Sequence, residues 1–331
     1  MRITALALWV SLLLACGGVE PADLSVVPFV DPDGNTVIAQ PGYHYPSPGL
    51  LAADDAQVVM SVDYHGDAFV MSVPAKGGPV SWVQYPGYTV QALVLEGTTV
   101  WIGTRWGVMF SDRGQPFQKF GPFDLDVVAL ALDEKQVYVL GKHGLVAIDR
   151  STQKDTLLQP TELTFSGGLL VQGEELVYSR GYGETAVVRD GAATPLAIDG
   201  DGPLTLWNGR LYAPHSIGSS IKHLDWGGSQ ASEIDCQTGG FAGFAFGEGA
   251  AWIGTARGVG GQIGEAGYKY KVPVFSHPGG EGGLYRCDLA DGTTSANLSP
   301  TSERVTAVAT SGSQVYFFDA ERGYLLMRTW P

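Results

Sequence analysis

The sequence predicts an all-β chain, a seven-bladed β-propeller of four-stranded antiparallel blades whose ring is closed by an N-terminal strand. Three observations predict it. A strand–turn–strand pattern recurs seven times. A large side chain, nearly always aromatic, recurs on the second strand of that pattern at about the length of one blade. Glycine is abundant, 46 of 331 residues beside 19 prolines, as many short strands joined by tight turns require.

The repeats run as follows. Leu51–Ala53 leads through Asp54–Gln57 to Val58–Met60, and Ala92–Leu95 through Glu96–Thr99 to Val100–Ile102. Ala129–Leu132 leads through Asp133–Gln136 to Val137–Val139, and Gly168–Val171 through Gln172–Glu175 to Leu176–Tyr178. Leu204–Leu206 leads through Trp207–Arg210 to Leu211–Tyr212, and Gly243–Phe246 through Gly247–Ala250 to Ala251–Ile253. Ala307–Thr310 leads through Ser311–Gln314 to Val315–Phe317. Each polar, Gly- or Asp-bearing centre between apolar runs is a hairpin signal. From Met60 through Trp101, Tyr138, Tyr178, Tyr212 and Trp252 to Tyr316 the spacings are 41, 37, 40, 34, 40 and 64. The last gap holds one blade plus an insertion at about 258–282 in blade six.

Within a repeat, Ala92, Ala129, Ala131, Gly243, Ala245, Ala307 and Ala309 give the first strand the small side chains that a crowded axis admits. Third strands follow a tight turn, as in Gly107–Phe110, Gly144–Asp149 and Gly323–Met327. A more polar run such as Pro116–Phe120 suits the outermost, exposed strand. The seventh repeat stops at Trp330-Pro331 after its third strand, and the strand-like Leu24–Val30 is expected to supply the missing outer one.

The first residues are of another kind. Met1-Arg2 is a short basic start, and Ile3–Leu14 is apolar apart from Thr4 and Ser11, too short to span a bilayer. With Leu13-Leu14-Ala15-Cys16 this segment resembles the lipobox of bacterial lipoproteins. The resemblance implies a signal peptide over 1–15, a lipid such as palmitate on Cys16 as the new N-terminus, and a tether over 16–23 before one propeller domain over 24–331. Gly17 in place of Asp implies sorting to the outer membrane, facing the periplasm or the exterior. The alternative is an ordinary secretory signal with an incidental Cys. Without Arg2 the chain carries 19 basic against 34 acidic side chains, a net charge of −15, which excludes nucleic acid as a partner.

Trp101–Val108 and Trp252–Val259 resemble the repeat of two-component-regulator propellers. Val137–Val139 with Gly144–Asp149 resembles the YVTN-type repeat of quinoprotein propellers. Both imply the fold and say little about function. No matching set of quinone-binding residues is present, and no cofactor is expected.

No metalloprotease helix, P-loop or nucleophile elbow occurs. Asp31-Pro32-Asp33-Gly34-Asn35 opens like a calcium loop but lacks the Glu at the twelfth position, and it is also ordinary turn chemistry, so no metal is assigned. Asp199–Gly202 is a weaker case of the same kind. Cys236 and Cys287 fall on strands of neighbouring blades, and form either a disulfide or two separate buried thiols.

The turns between second and third strands share one face with the connections between blades. They carry His65, Arg105 with Trp106, Lys142 with His143, Arg180 with Tyr182, His215, Arg257 and Arg322, diluted by Glu184, Asp319 and Glu321. The insertion adds Tyr268, Lys269 and Tyr270. Cations beside aromatic rings suit a protein or glycan partner, against the bland alternative that turns are simply polar. The expectation is a non-enzymatic binding or scaffold lipoprotein of the cell envelope. The alternative is a propeller lyase or hydrolase using His65, His143 or His215, but these fall in different repeats with no converging carboxylate set.

Overall fold

The structure, a computed structural model, describes residues 25–41, 50–64, 67–85, 90–112, 114–160, 167–180, 184–200, 202–214, 220–238, 241–256 and 281–330. It is all-β and forms seven antiparallel blades. An N-terminal hairpin comprises β1 (Ser25–Val30) and β2 (Thr36–Ala39). Blade one is β3 (Leu51–Ala53), β4 (Gln57–Tyr64), β5 (Asp67–Pro74) and β6 (Ser81–Tyr85). Blade two is β7 (Val90–Glu96), β8 (Thr99–Thr104), β9 (Gly107–Asp112) and β10 (Gln118–Phe120). Blade three is β11 (Ala129–Leu132), β12 (Gln136–Gly141), β13 (Gly144–Asp149) and β14 (Asp155–Gln159). Blade four is β15 (Gly167–Gln172), β16 (Glu175–Arg180), β17 (Glu184–Arg189) and β18 (Ala192–Asp199). Blade five is β19 (Thr205–Trp207), β20 (Arg210–Pro214), β21 (Ser220–Asp225) and β22 (Ala231–Asp235). Blade six has β23 (Gly243–Gly247), β24 (Ala250–Thr255) and β25 (Gly283–Asp288), and Thr294 bridges back to Cys287 at the outer position. Blade seven is β26 (Val305–Ser311), β27 (Gln314–Asp319) and β28 (Tyr324–Thr329).

The first strand of each blade is innermost. β26 packs against β3, which closes the ring around the axis. The recurring large side chains of the second strands lie between blades: Met60, Trp101, Tyr178, Tyr212, Trp252 and Tyr316 are all buried. Buried Trp and Tyr tips need hydrogen-bond partners, and two on these strands find them in the turn just before. Trp101 Nε1 donates to Glu96 at 3.2 Å, and the Tyr138 hydroxyl donates to Asp133 at 2.8 Å. Burial, with the Asp133 carboxylate beside it, pushes the Tyr138 hydroxyl up to about 12.

Closure differs from the sequence expectation in one respect. The strand that completes blade seven is β2, paired to β28 with Thr36 opposite Met327 and Val37 opposite Leu326. The expected segment instead supplies β1, Ser25–Val30, a fifth strand outside β2. The reason lies in two local features. Asp31–Asn35 forms a tight turn, with Asp31 Oδ1 accepting from the backbone N–H of Asp33 and Asn35. The chain therefore returns on itself, and only one arm of the hairpin can hold the place with neighbours on both sides. Val37, Ile38 and Ala39 are wholly buried there, whereas Pro28 lacks an N–H for a second ladder and belongs at an edge.

Cys236, just after β22, is bonded to Cys287 on β25, so a disulfide spanning 51 residues staples blade five to blade six.

Candidate functional site

The turns between second and third strands and the connections between blades lie on one face, because successive strands alternate in direction. Around blades two and three the described part of this face is held by a dense set of backbone hydrogen bonds. The connection 121–128 crosses from β10 to β11 and is laced to the β8–β9 turn. Asp124 N–H donates to Trp106 O, Asp126 N–H to Arg105 O and Val127 N–H to Thr104 O, each at 3.0 Å. It reaches the next blade too, where Lys142 N–H donates to Leu125 O at 2.8 Å. Leu125 and Val127 are buried and anchor the segment from below. Gly141 permits the approach, since a Cβ there would stand 2.2 Å from Leu125 O. Asp124 and Asp126 both adopt left-handed backbone, with φ of 64° and 45°, a conformation uncommon for residues with a Cβ.

What this frame displays is two aromatic rings with cations beside them. Trp106 is 39% exposed and Phe123 66% exposed. The Arg105 guanidinium carbon lies 5.8 Å from the centre of the Trp106 ring, and Lys119 Nζ lies 3.3 Å from the centre of the Phe123 ring. Lys142, from blade three, stands 3.8 Å from the Asp124 carboxylate, with both side chains more than half exposed. His143 follows it on the same exposed turn. Thus Arg105, Trp106, Lys142 and His143, read from the sequence, come together on adjoining blades. Lys119, Phe123, Asp124 and Asp126 complete the cluster and were not read. Their signal was Pro122-Phe123 set directly before the acidic Asp124 and Asp126.

The other expected face residues divide. Arg180 ends β16 in blade four and is partly buried. His65, Tyr182, His215, Arg257, Tyr268, Lys269 and Tyr270 lie outside the described residues, as do Cys16 and the 258–280 part of the insertion. Arg322 is a correction. Its guanidinium is an internal cross-link rather than a cation offered to a partner. It bonds Asp319 and donates to Asp31 Oδ2 at 3.2 Å, to Thr301 at 2.9 Å and to Ser302 at 2.8 Å. The carboxylates of Asp31 and Asp319 are 1% and 0% exposed. Neighbouring Asp33 accepts from the Thr301 backbone N–H at 2.9 Å and from the Ser299 hydroxyl at 3.3 Å. The calcium-like sequence therefore folds as a turn whose carboxylates are engaged by protein groups. Among the described residues, no three His, Cys, Asp or Glu side chains gather as a metal site.

The opposite face carries a different kind of contact. Glu96, in the β7–β8 turn of blade two, accepts from both terminal nitrogens of Arg150 in blade three, at 2.8 and 2.5 Å. The Arg150 hydrogen bond holds the Glu96 carboxyl below its usual range. This is an inter-blade tie.

No family model matches the chain, and no curated protein sequence matches it. Solved structures match by fold. The computationally designed Ika8 protein superposes with a TM-score of 0.60 at 16% identity, over 89% of this chain and 87% of that one. The β-propeller domain of Cps50 (Swd1) from Myceliophteria thermophila gives 0.61 at 11% identity, over 87% and 97%. BamB from Moraxella catarrhalis gives 0.53 at 13% identity, over 85% and 84%. At these identities the likeness establishes the propeller and nothing about its ligands.

Proposed function

We propose that this chain is a non-enzymatic binding or scaffold lipoprotein of the bacterial cell envelope, tethered through a lipid on Cys16 and docking a protein or glycan partner on its loop-bearing face. One observation carries the reading. Trp106 and Phe123 are held exposed on a hydrogen-bonded frame, each with a cation beside it, on an acidic molecule. Exposed Trp beside Arg is the composition of an interface hot spot, and a rigid backbone lowers the ordering cost of binding. Arg105, Lys119 and Lys142 stand beside Asp124 and Asp126 around the two rings, so the surface offers charges of both signs to a polar partner. Tyr268, Lys269 and Tyr270 of the insertion join the proposal from the sequence alone.

The test is capture of partners from native envelopes by chemical crosslinking and purification. Replacing Trp106 and Phe123 together by Ala should weaken capture at least about tenfold, the scale of losing a hot spot. Glu174→Ala, in an exposed turn on the opposite face, should leave it intact. Undiminished capture by the Trp106/Phe123 double variant rejects this face.

A further inference from the structure

The strand that closure did not require, β1, presents an apolar surface of its own. Val27 is 89% exposed, Val30 67% and Phe29 44%, three of the six large hydrophobic residues exposed among the described residues. The strand is nevertheless well seated on its inner side. A Cβ on Gly77 would stand 2.5 Å from the Pro28 ring, and the Phe29 ring meets Tyr324 edge-on at 6.0 Å. Val26 packs against the core beneath blade seven. Only the outward side is bare, and β1 is the last strand of its sheet.

Two features decide what covers it. Pro28 offers no N–H to an added strand, and the β1–β2 ladder slips register between Ser25 and Phe29. Both work against sheet extension by a second chain. The other feature is distance along the chain. Cys16 precedes Ser25 by nine residues, which reach at most about 30 Å when fully extended. A bilayer that holds a lipid on Cys16 therefore lies within about 30 Å of the start of this strand.

We infer that the exposed side chains of β1, Val27 and Val30 with the uncovered part of Phe29, rest in the interfacial region of the membrane that holds the anchor. The inference rests on the lipoprotein reading of Cys16. The acyl chains supply the attachment, and the strand fixes the orientation: it seats the rim of blade seven on the lipid and leaves both faces of the ring clear of it.

The experiment uses the full-length, processed protein in vesicles of phosphatidylethanolamine and phosphatidylglycerol with brominated acyl chains. Val27→Cys, Val30→Cys and, as a distant exposed apolar control on β14, Leu157→Cys are each labelled with bimane. Circular dichroism of each variant confirms that it folds as the parent does. Bromolipid should quench the labels at 27 and 30 several-fold more than the label at 157. Equal quenching at all three positions in protein that sediments with vesicles overturns the membrane contact and leaves the anchor standing. Pyrene excimer emission from position 27 instead identifies a second copy as the cover, and also overturns it. Protein that does not sediment with vesicles at all overturns the anchor, and the contact falls with it.

Discussion

At the scale of single residues, partners far apart in sequence decide which cations are structural. Arg322 is tied to Asp31, 291 positions away, and to Asp319 in its own turn. Asp319 stands three residues before Arg322 in the sequence, but Asp31 does not, so the long-range half of the network was illegible from turn position alone. Replacing Arg322 by Met strands two buried carboxylates, and breaking such a pair costs about 3–5 kcal/mol. Urea unfolding of the Arg322→Met protein should show a loss of that size; a change within about 0.5 kcal/mol, as for an ordinary surface site, contradicts the network. Asp149 gives a second residue-level prediction, on pH. Its carboxylate accepts from the hydroxyls and backbone N–H groups of Ser151 and Thr152, Ser151 first in effect, which holds it down to about 2 from an ordinary 3.8. Because the folded value lies below the unfolded one, its contribution is complete above pH about 4 and fades as pH falls towards 2. An NMR titration of the Asp149 side chain should find a midpoint near 2, and a midpoint near 4 rejects the capped turn.

At the scale of elements, the hairpins were legible because their information is local. Apolar alternation, a Gly- or Asp-bearing turn and a recurring ring specify β7–β8, β11–β12 or β26–β27 without reference to the rest of the chain. Ring closure was legible only in outline. Both arms of the N-terminal hairpin read as strands, and the choice between them depends on pairing with β28 some three hundred residues on. The display frame of 121–128 escaped because it has neither strand period nor repeat. The corrected closure predicts an order of effects. Deleting residues 25–30 should lower the melting temperature modestly, since β2 keeps its place on β28. Deleting 25–39 should cost far more, since blade seven loses its outer strand and Val37, Ile38 and Ala39 leave the core. Equal melting temperatures for the two deletions contradict closure by β2. The staple between blades five and six predicts a further loss. Closing a 51-residue loop restricts the unfolded chain by roughly 4 kcal/mol in the chain-entropy account. Changing Cys236 and Cys287 together to Ala should lower stability by about 2–4 kcal/mol in denaturant unfolding. An unchanged midpoint means that the covalent link does no structural work.

At the scale of the whole molecule, an acidic ring presents two faces that differ in kind. One face carries inter-blade ties such as Glu96 with Arg150, where charge is consumed within the protein. The other carries Trp106, Phe123, Lys119, Arg105 and Lys142 on a frame stiffened by backbone hydrogen bonds. The exposed rings on this frame are the basis for assigning the second face to partner docking. The most direct measurement places a photo-crosslinking amino acid at single positions in the native cell. Positions 106 and 123 sample the proposed face, and positions 134 and 174, both exposed turn residues, sample the opposite one. The account predicts discrete crosslinked products from 106 and 123 and none from 134 or 174. Products from 134 and 174 alone would contradict it.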